Sequence, residues 1–180
     1  MKLTIETLYQ DHNNLRRILF LLETLLIEIY RGSSINYSLL ERILAYIQDY
    51  PEQVHHPAED EMFSIAIKNG IDNDRLREDI SKLMRDHSQI ENITRNAVEA
   101  VESAACSTHC DISRIGDILH TLINRQRLHL LSEEMNIYPY IAKHFGKEHW
   151  EQMTDIIPDT EDPVFGQKVK QEYELLFKSL

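Results

Sequence analysis

Residues 5–31 read IETLYQDHNNLRRILFLLETLLIEIYR, and Leu8, His12, Leu15, Leu19, Leu22 and Leu26 recur through them at intervals of four, three, four, three and four. That is the period of an α-helix with one apolar face. It predicts a first helix from about Ile5 to Arg31, stopped by Gly32. One residue on the face is out of character, because His12 stands where an aliphatic side chain belongs. A polar ring carried into a core must find a partner there.

The helical period continues along the chain with little punctuation, since the sequence holds only five glycines and five prolines. A second helix is predicted from about Tyr37 to just before Gly70, with Leu40, Ile43, Leu44 and Ile47 inward. Pro51 and Pro57 predict a kink or bulge across residues 50–57, and bulges of this kind gather at functional sites. A third helix opens at Asp72 or Asp74 and ends near Cys106, with Leu76, Ile80, Leu83, His87, Ile90, Val98 and Val101 inward. The fourth runs from about Ile112 to Phe145, with Ile115, Leu119, Leu122, Gln126, His129, Glu133 and Asn136 on one stripe. Long helices on short connections predict an all-α protein, an antiparallel up-down-up-down four-helix bundle over residues 1–146. Residues 147–180 are expected to add a C-terminal helical segment around the turn at 158–163. Trp150, Phe165, Tyr173 and Leu176 would dock it, making residues 1–180 a single domain.

Composition narrows the partners. The 180 residues carry 19 Lys and Arg against 30 Asp and Glu, a formal net charge of −11. Such a surface repels phosphate backbones and anionic lipid heads, so nucleic-acid and membrane partners are not expected. The most apolar stretch, Ile18 to Tyr30, contains Glu23 and Glu28 and is too short to span a bilayer. The N-terminal residues lack the pattern of a signal peptide, and two cysteines fit a reducing compartment, so a cytoplasmic location is expected. A protein, a cation or a small molecule remains as partner.

Four histidines and two glutamates occupy predicted core positions: His12, His55, Glu59, His87, His129 and Glu133. They repeat. His87 follows His12 by 75 residues, while His129 follows His55 and Glu133 follows Glu59 by 74. A helix pair has been doubled, and its inward groups face one another. His and Glu at i and i+4 share a helix face, and imidazole with carboxylate suits Fe, Mn or Zn better than Ca or Mg. Six ligands exceed one tetrahedral zinc, whereas two metals bridged by both glutamates use all six. Carboxylate-bridged pairs in helical bundles point to di-iron, although the order here is His-x-x-x-Glu and not the Glu-x-x-His of ferritin-like proteins.

Several further residues bear on this site. His56 with Asp60 offers a rival frame one residue out of phase. Tyr9, Tyr50 and Tyr138 fall near the predicted metal layer, where a phenol could donate a hydrogen bond. Asp11 and Asp86 precede ligand histidines and point about 100° away from them, so each is free to steady a histidine on another helix or to face solvent. Cys106-Ser-Thr-His-Cys110 has too few ligands for a metal clip, and His109, His120, His144 and His149 show no matching partners.

The Asp-His pairs at 11–12 and 86–87, the run YPEQVHHPAEDEMF at 50–63 and the run HLLSEEMNIYP at 129–139 resemble the hemerythrin-like, HHE cation-binding family. The resemblance covers about residues 5–145. It implies a four-helix bundle holding two iron ions, as an oxo- or hydroxo-bridged pair, that bind O2 or NO for sensing, scavenging or storage. It also allows a di-iron enzyme acting on peroxide or nitric oxide, or an iron donor in iron-sulfur centre repair. Carried over by motif, the ligands are His12, His55, Glu59, His87, His129 and Glu133. Oxygen carriers of the family have His-x-x-x-His on the third helix, where this chain has His87 and Glu91. Glu91 therefore stands as an additional ligand or as a partner of Arg16. On the fourth helix the carriers have His-x-x-x-x-Asp, where this chain offers Glu133 at +4 and Glu134 at +5.

Overall fold

A computed structural model describes residues 3–69, 71, 73–106, 111–157 and 160–180, and the regular structure among them is entirely helical. Helix α1 spans Ile5–Tyr30, opened by reciprocal hydrogen bonds between Thr4 and Thr7 and followed by Gly32 at φ 75°, a left-handed value that suits glycine. Asn36, Asn73 and Asp111 each accept a backbone N–H to start α2 (Tyr37–Ile47), α4 (Asp74–Ala105) and α5 (Ile112–Ser132). The second predicted helix is interrupted where its prolines stand. A π-helical segment, Gln48–His55, joins α2 to α3 (His56–Lys68), and it closes with the His56 N–H bonded to the Pro51 carbonyl.

The fourth predicted helix is not continuous, which corrects the sequence reading. A second π segment, Glu133–Ile137, separates α5 from α6 (Tyr138–His144). Pro139 lacks the N–H that would bond the Met135 carbonyl, and its ring crowds that carbonyl. The wider turn relieves both problems by bonding the Tyr138 N–H to the Glu133 carbonyl, five residues back. One consequence is that Asn136, expected on the inner stripe, is exposed, while Ile137 and Tyr138 are buried.

Two apolar clusters form the core. The first holds Leu15–Ile29 of α1, Leu39–Tyr50, Ile90–Ala104 of α4 and Ile115–Leu130 of α5; the second holds Leu8, Met62–Ala66, Leu76–Leu83 and Ile137–Ile141. Where they meet lie the predicted ligand positions, one each on α1 and α4 and two each on the other two helical runs. Helix α1 packs on α5 and α2, and α4 packs on the same two.

The C-terminal residues pack on this body. Helix α7 (Lys147–Ile156) lies against α3 and buries Met153, with Trp150 partly covered beside Phe145. Val164 of the preceding turn and Tyr173 and Leu176 of the last helical turns enter the first cluster. Asp162 fastens the segment, accepting hydrogen bonds from Tyr46 Oη at 2.9 Å, Asn14 Nδ2 at 3.3 Å and the N–H groups of Val164 and Phe165. Residues 158 and 159 of the predicted turn lie outside the described residues.

Candidate metal centre

The structure brings His12, His55, Glu59, His87, His129 and Glu133 into one layer, each no more than 3% exposed. Glu59 reaches His12 Nε2 at 3.5 Å through Oε1, and His55 and His87 Nε2 at 3.3 and 3.4 Å through Oε2. Glu133 reaches His12 Nε2 at 3.5 Å through Oε2, and His129 and His87 Nε2 at 3.1 and 3.6 Å through Oε1. Each carboxylate thus spans histidines from both halves of the repeat.

The outer ring nitrogens are held by acids. His12 Nδ1 donates to Glu134 Oε1 at 2.9 Å, His55 Nδ1 to Asp11 Oδ2 at 3.2 Å and His87 Nδ1 to Asp60 Oδ1 at 2.9 Å. A carboxylate only accepts, so each Nδ1 carries a proton, and each ring, once its inner nitrogen is deprotonated, turns an Nε2 lone pair inward. Glu134 is kept charged by this bond and by Arg16 at 2.6 Å, which hold its carboxyl at about 2. Burial opposes charge on His12 and His87, yet these acids and the two inner glutamates raise them to about 9 and about 12. In the absence of a metal the layer therefore attracts protons.

Hydrogen bonds alone do not satisfy it. Glu59 Oε2, His87 Nε2, both ring nitrogens of His129 and both Glu133 oxygens are buried without a hydrogen-bond partner among the described residues. Short N···O approaches such as His129 to Glu133 lack hydrogen-bond geometry; donor atoms face one another across a common space. His12 and His55 bring their Nε2 atoms to 3.1 Å, a hydrogen bond in which one ring donates to the other. Buried polar groups need partners, and a cation between these lone pairs supplies what protons in this geometry do not. Glu59, His87, His129 and Glu133 form one possible cradle, and His12, His55 and Glu59 another, with donor atoms within 4.8 Å of one another.

His56 joins the layer as well. It is 1% exposed, stacks on His87 at 4.2 Å and forms a third close group with His87 and His129, both of its nitrogens unpartnered. The two rival frames on the second helix are not alternatives, since His55 and His56 both face inward and Asp60 orients His87. The doubled histidine was the signal for this. Asp60 and Glu134, also 74 residues apart, form reciprocal braces, each holding a histidine of the opposite half.

Other expectations are corrected. Glu91 is exposed, outside the layer, and Arg16 pairs with Glu134 in its place. Asp11 does steady a histidine of another helix, but Asp86 bonds Arg125. Tyr50 donates to Asp11 at 3.2 Å, Tyr9 packs edge-on against Tyr138, and Tyr138 lies inside the layer. Cys106 is exposed, and residues 107–110 of the cysteine loop fall outside the described residues.

An all-helical domain with a buried layer of histidines and bridging carboxylates is a cation-binding domain. The Hemerythrin HHE cation binding domain matches residues 3–141, and the chain belongs to that family. No match was found among curated proteins or solved structures.

Proposed function

We propose that the chain is a non-haem di-iron protein that binds O2 or NO at a carboxylate-bridged pair of irons, for sensing, scavenging or storage. The carrying observation is the set of buried, unpartnered nitrogen and oxygen atoms that converge between the two apolar clusters. His12 and His55 would hold one metal, His87, His129 and His56 the other, with Glu59 and Glu133 shared. The iron pair supplies binding and reduction of a small diatomic ligand. The chain's own groups do the rest: Asp11, Asp60 and Glu134 fix the imidazoles with Nε2 inward, and the apolar clusters keep bulk water from the layer.

The fold proposed around this site is the antiparallel up-down-up-down bundle in one domain. Its support is that α1 and α4 run from the second apolar cluster to the first, while α2–α3 and α5–α6 run the other way. No helix among the described residues is long and apolar enough to cross a membrane. We place the protein in the cytoplasm, consistent with its sparse cysteines.

Titrating the anaerobic, ferrous-reconstituted protein with NO and with O2 tests the ligand. Saturation near one equivalent per iron pair, reversed on removing the gas, is the expected result. Continued consumption beyond one equivalent would make the protein an enzyme, and no spectral response would refute diatomic binding.

A further inference from the structure

Each π segment is followed by a residue–proline pair, His56–Pro57 and Tyr138–Pro139, and in each pair the first residue makes the bond to the carbonyl five back. In a regular α-helix Tyr138 would stand about 140° around from Glu133; the wider turn brings it onto the same face. His56 comes from the first half of the repeat and meets His87 and His129 of the second. Tyr138 comes from the second half and meets His12 and Glu59 of the first. The two are presented in the same way, across the layer, to opposite metal positions.

Tyr138 is 0% exposed. Its Oη lies 2.9 Å from His12 Nε2 and in closer contact with Glu59 Oε1. The ring stacks on His12 at 5.0 Å and is backed by Tyr9 at 4.9 Å, so the oxygen is fixed in place. With His12 Nδ1 committed to Glu134, its Nε2, the Tyr138 hydroxyl and Glu59 Oε1 converge within hydrogen-bond reach of one another. A cation bound by all three atoms satisfies them together.

We propose that Tyr138 is itself a ligand, an aryloxide donor to the metal position of His12 and His55. The inference rests on the two-metal reading above. Tyr138 gives its O–H proton to solvent as the metal enters, and the oxygen lone pair forms the new bond with no change in oxidation state. Two ferric ions bring more positive charge than Glu59 and Glu133 return, and an anionic oxygen inside the layer offsets part of the surplus. The site is thereby unequal, with three imidazoles on one side and two imidazoles and a phenol oxygen on the other.

The test is the full chain, loaded with ferrous iron and air-oxidised, assayed for iron per chain, visible absorption and resonance Raman scattering excited in the visible. The expected result is an iron pair with a visible aryloxide-to-iron band that enhances tyrosine ring vibrations. Tyr138→Phe should keep iron and lose the band, while Tyr9→Phe should keep both. An iron pair without that band, or a band that survives in Tyr138→Phe, overturns the ligand role and leaves the two-metal reading standing. A chain that takes up no iron overturns both. Raman on the unaltered chain decides the matter even if Tyr138→Phe does not fold.

Discussion

At the scale of single residues, function depends on which atom of each side chain faces inward. Glu133 and Glu134 are neighbours, yet one is wholly buried among imidazoles and the other meets the layer at the far nitrogen of His12 and pairs with Arg16. The +4 spacing distinguishes their places, one in the layer and one at its edge, but the bond from His12 to Glu134 depends on a contact between helices that spacing does not reveal. Glu134→Gln should weaken metal affinity about 10–100-fold by releasing His12, measured by competition with a chelator, while Glu91→Gln at the exposed position should leave it unchanged. Glu52 offers a pH test outside the layer. Burial raises its carboxyl to about 7, with Glu91 adding to the rise while Thr94 and Arg95 oppose it. A carboxyl raised in the folded state contributes its stability fully below its unfolded value of 4.5 and loses it as pH climbs through 7. Glu52→Gln should remove that slope and gain on the order of 1–2 kcal/mol at pH 8 in urea unfolding, relative to the parent. An unchanged slope would count against a buried, protonated Glu52.

At the scale of elements, the helix starts were legible because their causes are local: Thr4, Asn36, Asn73 and Asp111 cap backbone N–H groups within three residues. The first π segment was legible as a bulge because two prolines announced it. The second was not, since Pro139 near the end of a helical run also fits a regular helix with a local kink. That one wide turn decides which of Asn136, Ile137 and Tyr138 face the core. Deleting the exposed Met135 should leave Tyr138 four residues after Glu133, so that Ile137, Tyr138 and Ile141 keep their face while Pro139 is forced into a regular turn. The expected loss, from the proline ring meeting the carbonyl four back, is about 3 kcal/mol or more in denaturant unfolding. A deletion variant as stable as the parent would show that the wide turn is not what accommodates Pro139.

At the scale of the whole molecule, a polar layer divides a mainly apolar core, and that division is written in the sequence as a repeat of about 74 residues. The repeat made the six principal positions readable. It hid what breaks it: His56 has Leu130 as its counterpart and Tyr138 has Ser64, so neither appears in a comparison of the halves. The docking of the tail was readable from Trp150, Phe165, Tyr173 and Leu176, whereas its fastening through Asp162 required knowing that Asn14 and Tyr46 meet it. The central claim is that the buried layer is made for a pair of metals. Elemental analysis of the aerobically purified chain, with an absorption spectrum of the same sample, tests it most directly. About two irons per chain with near-ultraviolet bands of a bridged ferric pair are expected. A folded chain that holds no metal, even after anaerobic reconstitution with ferrous iron, would contradict it.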